Sequence, residues 1–150
     1  MRHTRCQAQL TVDAKGRLAL PKPIRAALEG AEALDLVLAF HKGAVWAWTR
    51  QEWELKVEAP LAEADPFDTR VMAFTHALLS TANDVTVDGQ GRIRIPPVLR
   101  ELAGIQKDVV VHSVVNRFEI WDRHAWNRRF EESLHETQSM SGMPGGRDGG

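Results

Sequence analysis

The sequence predicts an α+β fold made from two copies of one unit, set together as a pseudo-two-fold β-barrel with short flanking helices. Three observations carry that expectation. Val12-Asp13-Ala14-Lys15-Gly16-Arg17-Leu18-Ala19-Leu20-Pro21 returns as Val87-Asp88-Gly89-Gln90-Gly91-Arg92-Ile93-Arg94-Ile95-Pro96. The echo continues, with Ile24-Arg25 answered by Leu99-Arg100, and Trp48, Arg50 and Trp53 answered by Trp121, Arg123 and Trp126. Each copy spans only about 45 residues, a size at which a lone core is marginal, so the copies are expected to share a core with each other or with another subunit.

The elements follow in order. Gln7 to Val12 places Ala8, Leu10 and Val12 on one face, and Arg17 to Leu20 resumes with Leu18 and Leu20. Period two on either side of a Gly-bearing turn reads as a hairpin. Val85-Thr86-Val87 and Ile93-Arg94-Ile95 repeat it. Pro23 to Glu29 forms a short helix with proline at its start and Gly30 past its end; Pro97 to Ala103 with Gly104 has the same asymmetry. Leu36-Val37-Leu38 with Val45 to Trp48, and Val109 to Val111 with Phe118 to Trp121, make a second hairpin per copy, turning at Lys42-Gly43 and at Asn116-Arg117.

Thr49 with Glu52 is a capping box for a helix running towards Pro60, and Asp122 is the matching N-cap for a helix from Arg123 to about His135. Between the copies, Asp65-Pro66 is expected to start a helix with Phe67, Val71, Phe74 and Leu78 on one stripe. The domain expectation is a first repeat at 8–53, a helical linker at 54–82 and a second repeat at 83–130. The Gly- and Ser-rich stretch 137–150 has little to bury and reads as disordered.

At 150 residues and 43% hydrophobic, the chain has the composition of a soluble globular protein. One cysteine, Cys6, excludes an intramolecular disulfide and fits a reducing compartment. No secretory signal pattern and no membrane-spanning apolar run is seen, so a cytoplasmic location is expected. The net charge of −1 hides an uneven spread. Arg2, Arg5, Lys15, Arg17 and Lys22 face only Asp13 up to Ile24, whereas acids dominate from Glu29 to Asp68.

The repeated motif carries the chemistry. Gly16 and Gly91 are expected at positive φ, and Asp13 and Asp88 to accept hydrogen bonds from turn amides two residues on. That leaves Arg17 and Arg92 projecting from a rigid rim, where an Arg fork suits a phosphate or the O6/N7 edge of guanine. Lys15 adds a phosphate contact, and Gln90 in the same place reads adenine or bonds sugar and phosphate. The competing reading makes Asp13–Arg17 and Asp88–Arg92 internal ion pairs that only support a turn. Trp48, Trp53, Trp121 and Trp126 fit packing of a helix onto the sheet better than base stacking. Trp46, whose counterpart is Glu119, is expected to face a neighbouring subunit.

Enzyme signatures are sparse. The six histidines have no metal-ligand spacing, and one Cys cannot complete a zinc site, so no metal or cofactor is expected. No phosphate-binding loop and no Gly-x-Ser-x-Gly occurs. A pseudo-dyad of Asp13 and Asp88 lacks the hydroxyl and glycine that an aspartic-protease motif requires, and Lys15 would depress a carboxylate pKa that must be raised.

The duplicated Asp-x-x-x-Arg with its Gly-Arg-x-x-x-Pro continuation, together with Phe118-Glu119-Ile120-Trp121-Asp122, resembles the MraZ family of AbrB-like transcription factors. The resemblance covers about Leu10 to Phe130. It implies a duplicated swapped-hairpin barrel and a cytoplasmic, nucleoid-associated repressor. Its partners would be double-stranded DNA, in direct repeats upstream of the division and cell wall gene cluster, and copies of itself in a ring. The family's DNA-contacting residues fall on Lys15, Arg17 and Arg92. At the N-terminus Thr4-Arg5-Cys6 stands where the family opens with Phe-x-Gly, and Arg5 takes the middle position, joining the expected DNA-binding set. A ring-forming assembly protein without direct DNA contact is the alternative.

Overall fold

The computed structural model describes residues 5–140. It is a mixed α+β fold with an open antiparallel sheet. In chain order the first repeat supplies β1 (Gln7–Thr11), β2 (Arg17–Ala19), α1 (Lys22–Gly30), β3 (Asp35–His41) and β4 (Ala44–Thr49). A helical layer follows: α2 (Arg50–Trp53), a π-helical turn Glu54–Glu58, α3 (Ala59–Glu63) and α4 (Thr69–Leu79). The second repeat supplies β5 (Asn83–Thr86), β6 (Arg92–Arg94), α5 (Pro97–Leu102), β7 (Asp108–Val114), β8 (Arg117–Asp122) and α6 (Arg123–Ser139).

The strands around each glycine turn do not pair with each other, as a local hairpin would require. β1 pairs with β7, β5 pairs with β3, and β2 pairs with β6, so each repeat hands its first strands to the other. The six-stranded sheet runs β1-β7-β8-β4-β3-β5, and the pair β2-β6 stands apart. Exchanging the repeats leaves this order unchanged, with β4 and β8 meeting at the centre through Trp46↔Glu119. The hairpins β3–β4 and β7–β8 do form. The second turns at Val115-Asn116, one residue before the expected place, because Val114 pairs with Arg117.

The pairing follows from burial. β3 is apolar almost without a break because both of its faces are covered, with Leu36, Val37, Leu38 and Ala39 all buried. One face joins a core drawn from both repeats: Leu18, Leu20, Ile24 and Leu28 meet Ile93, Ile95, Leu99, Val109, Phe118 and Ile120. Burying each such side chain stabilises the fold by roughly 1.5–3 kcal/mol. The other face carries Val37, Ala39 and Trp48, covered by Trp53, Val57 and Leu78 from the helical layer.

Three helix boundaries differ from expectation. α4 begins at Thr69 behind the Asp68 cap, while Asp65 caps only a preceding turn and Phe67 is 87% exposed. Gly30 closes α1 itself, and the left-handed position falls on Glu32 (φ 53) instead. α6 runs on through Thr137 to Ser139, where disorder was expected; residues 141–150 lie outside the described ones. Trp46 is half-buried within the chain, its ring 3.7 Å beneath the Arg117 guanidinium, because its partner Glu119 holds Arg117 there through an ion pair.

Candidate nucleic-acid interface

Each repeat builds one tight turn between its first two strands. Asp13 Oδ1 accepts hydrogen bonds from the backbone N–H of Lys15 (2.9 Å) and of Arg17 (2.8 Å), and Oδ2 accepts from Arg17 Nε (2.7 Å). Asp88 repeats the set, with the N–H groups of Gln90 (2.8 Å) and Arg92 (2.9 Å) and with Arg92 Nε (3.0 Å). The Arg17 amide is the strongest influence holding the Asp13 carboxyl below its ordinary pKa, and the Arg92 amide does the same for Asp88. Gly16 and Gly91 sit at φ 83 and φ 75.

Both ion pairs of the competing reading are therefore present. Each aspartate takes its arginine by the Nε edge, which fixes the guanidinium plane. These contacts run through Nε, whereas the end-on fork of an arginine is made by its two terminal nitrogens. The pairs are themselves exposed, with arginine side chains 37% and 31% accessible, so they contribute little to stability.

The turns also lock each other. Arg25 of α1 reaches across to the second repeat and donates to the carbonyls of Gln90 (3.3 Å) and Gly89 (3.4 Å). A Cβ on Gly91 would lie 2.5 Å from the Arg25 side chain. Arg100 of α5 mirrors this: its guanidinium lies 2.9 Å from where a Gly16 Cβ would stand, and it donates to Ile95 O (3.1 Å). Leu20 N–H donates to Gly91 O and Ile95 N–H to Gly16 O, joining the repeats backbone to backbone. Glycine is needed here for close approach as well as for φ.

β2 and β6 carry the arginines on one face. Arg17 stands opposite Arg94, Leu18 opposite Ile93, and Ala19 opposite Arg92. Leu18 and Ile93 are buried in the shared core, so alternation turns Arg17, Arg92 and Arg94 outward together. Lys15 and Gln90 are exposed at the two turn tips. The structure thus places Lys15, Arg17, Gln90 and Arg92 on one two-stranded ribbon and the turns that flank it. It places Arg5 at the opposite end of β1 from the Asp13 turn, roughly 25 Å away along extended chain. Sequence reasoning missed Arg94, which matches Ala19 in the other copy and so fell outside the repeat comparison. The strand alternation of Ile93-Arg94-Ile95 held the signal. It also missed Arg25 and Arg100, visible as an echo but interpretable only through contacts between repeats.

Among the described residues, no group of His, Cys, Asp and Glu is placed to hold a metal, and no helix is long and apolar enough to cross a membrane.

The family model of the MraZ protein matches residues 78–142. Similar proteins extend the likeness along the chain. One from Legionella pneumophila (strain Corby) is 34% identical over 90% of this chain and 90% of its own length. One from Pseudomonas savastanoi pv. phaseolicola is also 34% identical, with 90% of each chain covered. This chain belongs to the MraZ family. A further MraZ relative, from Thioalkalivibrio sulfidiphilus, is 35% identical over 89% of each chain, and all three are named transcriptional regulator MraZ. The MraZ family is one of regulators, not of enzymes.

Proposed function

We propose that this chain is a DNA-binding transcriptional regulator, acting as a repressor, that grips duplex DNA with the outward face of the β2–β6 ribbon. The observation that carries the proposal is the grouping of Arg17, Arg92 and Arg94 on one face of a two-stranded ribbon whose flanking turns are fixed by Asp13 and Asp88. A major groove about 12 Å wide admits a two-stranded ribbon, and an Arg fork discriminates guanine there. Lys15 and Gln90 at the turn tips reach phosphate and sugar, which set register. The strand exchange between repeats supports an AbrB-like swapped-hairpin arrangement. In this reading the protein is cytoplasmic and nucleoid-associated. Copies assemble head to tail into a ring, so that identical ribbons meet direct repeats upstream of the division and cell wall gene cluster in one sense.

One ribbon binds weakly, and several engaged together add avidity. The test is an electrophoretic mobility shift on the chain's own upstream region against scrambled DNA, at several salt concentrations and with one to four repeats. Affinity is expected to rise far faster than repeat number. The slope of log affinity against log salt should also steepen with repeats, by roughly −0.9 per phosphate contacted. Equal affinity and slope for one repeat and for four would remove the ring from the mechanism. Equal affinity for scrambled DNA would remove the sequence specificity, and no shift with either DNA would favour the assembly-protein alternative.

A further inference from the structure

The two repeats cover the outer face of the sheet unequally. Thr49 and Asp122 cap equivalent helices through the backbone N–H groups of Glu52 and Ala125, and Trp53 and Trp126 occupy equivalent places. In the first repeat α4 returns over β3 and seals the site, leaving Trp53 at 3% exposure and Leu78 at 2%. In the second repeat, among the described residues, α6 lies over β7 and β8 with no further helix upon it. An aromatic ladder climbs outward instead. Trp126 meets His112 (5.1 Å) and Trp121 (5.8 Å), and Phe130 stacks on Trp126 at 6.0 Å. Phe130 and, one turn on, Leu134 are each 49% exposed.

The complementary surface lies on the first-repeat half. α3 and α4 flank a groove of about 550 Å³ lined by Leu61, Pro66, Val71, Met72 and Leu79, with Glu58 at its rim. Met72 and Leu79 remain 42% and 40% exposed. Acids outnumber cations in this part of the chain, with Glu54, Glu58, Glu63, Asp65 and Asp68 against Lys56 and Arg70, while α6 opens with Arg123, Arg128 and Arg129 ahead of Glu131 and Glu132.

We propose that Phe130 and Leu134 of α6 dock into the α3–α4 groove of a second copy of this chain. The proposal rests on the oligomeric part of the function proposed above and names its junction. A second copy fits because each chain carries one apolar stripe with a basic start and one apolar groove with an acidic rim. Two different surfaces in contact make a heterologous junction, which repeats from subunit to subunit and closes as a ring where the rotation allows. The helical layer and α6 lie on the face of the sheet opposite β2 and β6, so this junction leaves the arginine face open.

Full-length chains measured by size-exclusion chromatography with light scattering test the junction. A stripe variant carries Phe130→Glu and Leu134→Glu, and a groove variant carries Met72→Glu and Leu79→Glu. The wild-type chain is expected at several times the mass of one chain, and each variant alone at the mass of one. An equimolar mixture of the two variants is expected to double in mass and stop there. Such a pair holds one intact junction, and its other contact sets glutamate against glutamate. If a glutamate variant loses its helical circular dichroism, Phe130→Ser and Leu79→Ser are read in the same way. Variants that keep the wild-type mass would overturn this junction and leave the ring standing. A mixture that stays at single-chain mass would overturn the head-to-tail pairing. A wild-type chain at single-chain mass would overturn the junction and the ring together, while the mobility shift still reports on DNA binding.

Discussion

The two glycine turns share every aspartate hydrogen bond but stand in different surroundings. In the first, Lys15 occupies the tip and Ala19 the outward strand position; in the second, Gln90 occupies the tip and Arg94 the strand. The second cation of each repeat has therefore moved from turn to strand. Their supports differ too. Nearest a Gly16 Cβ would stand the Arg100 guanidinium and the backbone oxygen of Ile95, whereas the three atoms nearest a Gly91 Cβ all belong to the Arg25 side chain. Duplication has kept the device that aims one arginine and varied what lies beside it, which makes the halves separable by mutation.

The largest expected effect is at the glycines. Gly16→Val places a β-branched residue at φ 83, with Ile95 O 3.0 Å from its Cβ, and neither constraint relaxes without moving backbone. We expect specific DNA binding to be lost and the melting temperature to fall by roughly 3–10 °C, from strain of about 1–3 kcal/mol. Gly91→Val meets a side chain that can swing away, so its loss should be smaller in both melting and mobility shift. An equal or larger effect at Gly91 would show that Arg25, tied to Glu29 at 2.8 Å, is as rigid as backbone.

The arginines come next. Arg17→Ala should weaken binding about 5- to 150-fold per engaged site, the value of a lost bidentate base contact, with the fold and oligomer unchanged. Arg92→Ala should weaken it less, because Arg94 remains on the same ribbon face. Arg92→Ala combined with Arg94→Ala should then approach the Arg17→Ala loss at matched salt. If all three variants bind like the wild-type chain, the arginines serve only their aspartates.

These comparisons also show how far the sequence could be read. The turn geometry was legible because Asp-x-x-x-Arg with an intervening glycine is a local instruction, written in hydrogen bonds that span four residues. Strand partners were not, because Leu10 pairing with Val109, or Leu18 with Ile93, depends on which apolar faces meet across the chain. Alternation located β1 and β2 without saying whose edge they join. The pairing of Trp46 with Glu119 was hidden for the same reason, since repeat-related residues meet only where the two halves touch.

Acidification should act on both turns alike. The Arg17 and Arg92 amides, and then the remaining turn partners, hold Asp13 and Asp88 below the ordinary carboxylate pKa of about 3.9. A depressed folded pKa means that the unfolded chain binds protons first, so the contribution is complete above about pH 4 and fades as pH falls through the depressed values. Asp13→Asn with Asp88→Asn should flatten stability against pH in that acid window and leave the profile above pH 5 unaltered. An unchanged acid slope would assign the wild-type dependence to other carboxylates.

The smallest effect separates the other pair of turns. Lys42 (φ 47) and Gly43 (φ 89) close the β3–β4 hairpin with both loop residues left-handed, as a two-residue turn of the mirror-image type prefers. In the β7–β8 hairpin only Val115 takes positive φ, at 47, and a β-branched side chain is costly there. Val115 is 66% exposed, so little burial is lost by changing it. Val115→Gly is therefore expected to stabilise the chain by about 1 kcal/mol, the strain relieved less the extra freedom that glycine gives the unfolded state. Lys42→Gly should gain less, because an unbranched side chain is better tolerated at that φ. Denaturant melts of the two variants measure the difference directly. A Val115→Gly chain no more stable than wild type would mean that the side chain is held by contacts formed only between copies, and its melt should then be compared above and below the concentration at which the chain assembles.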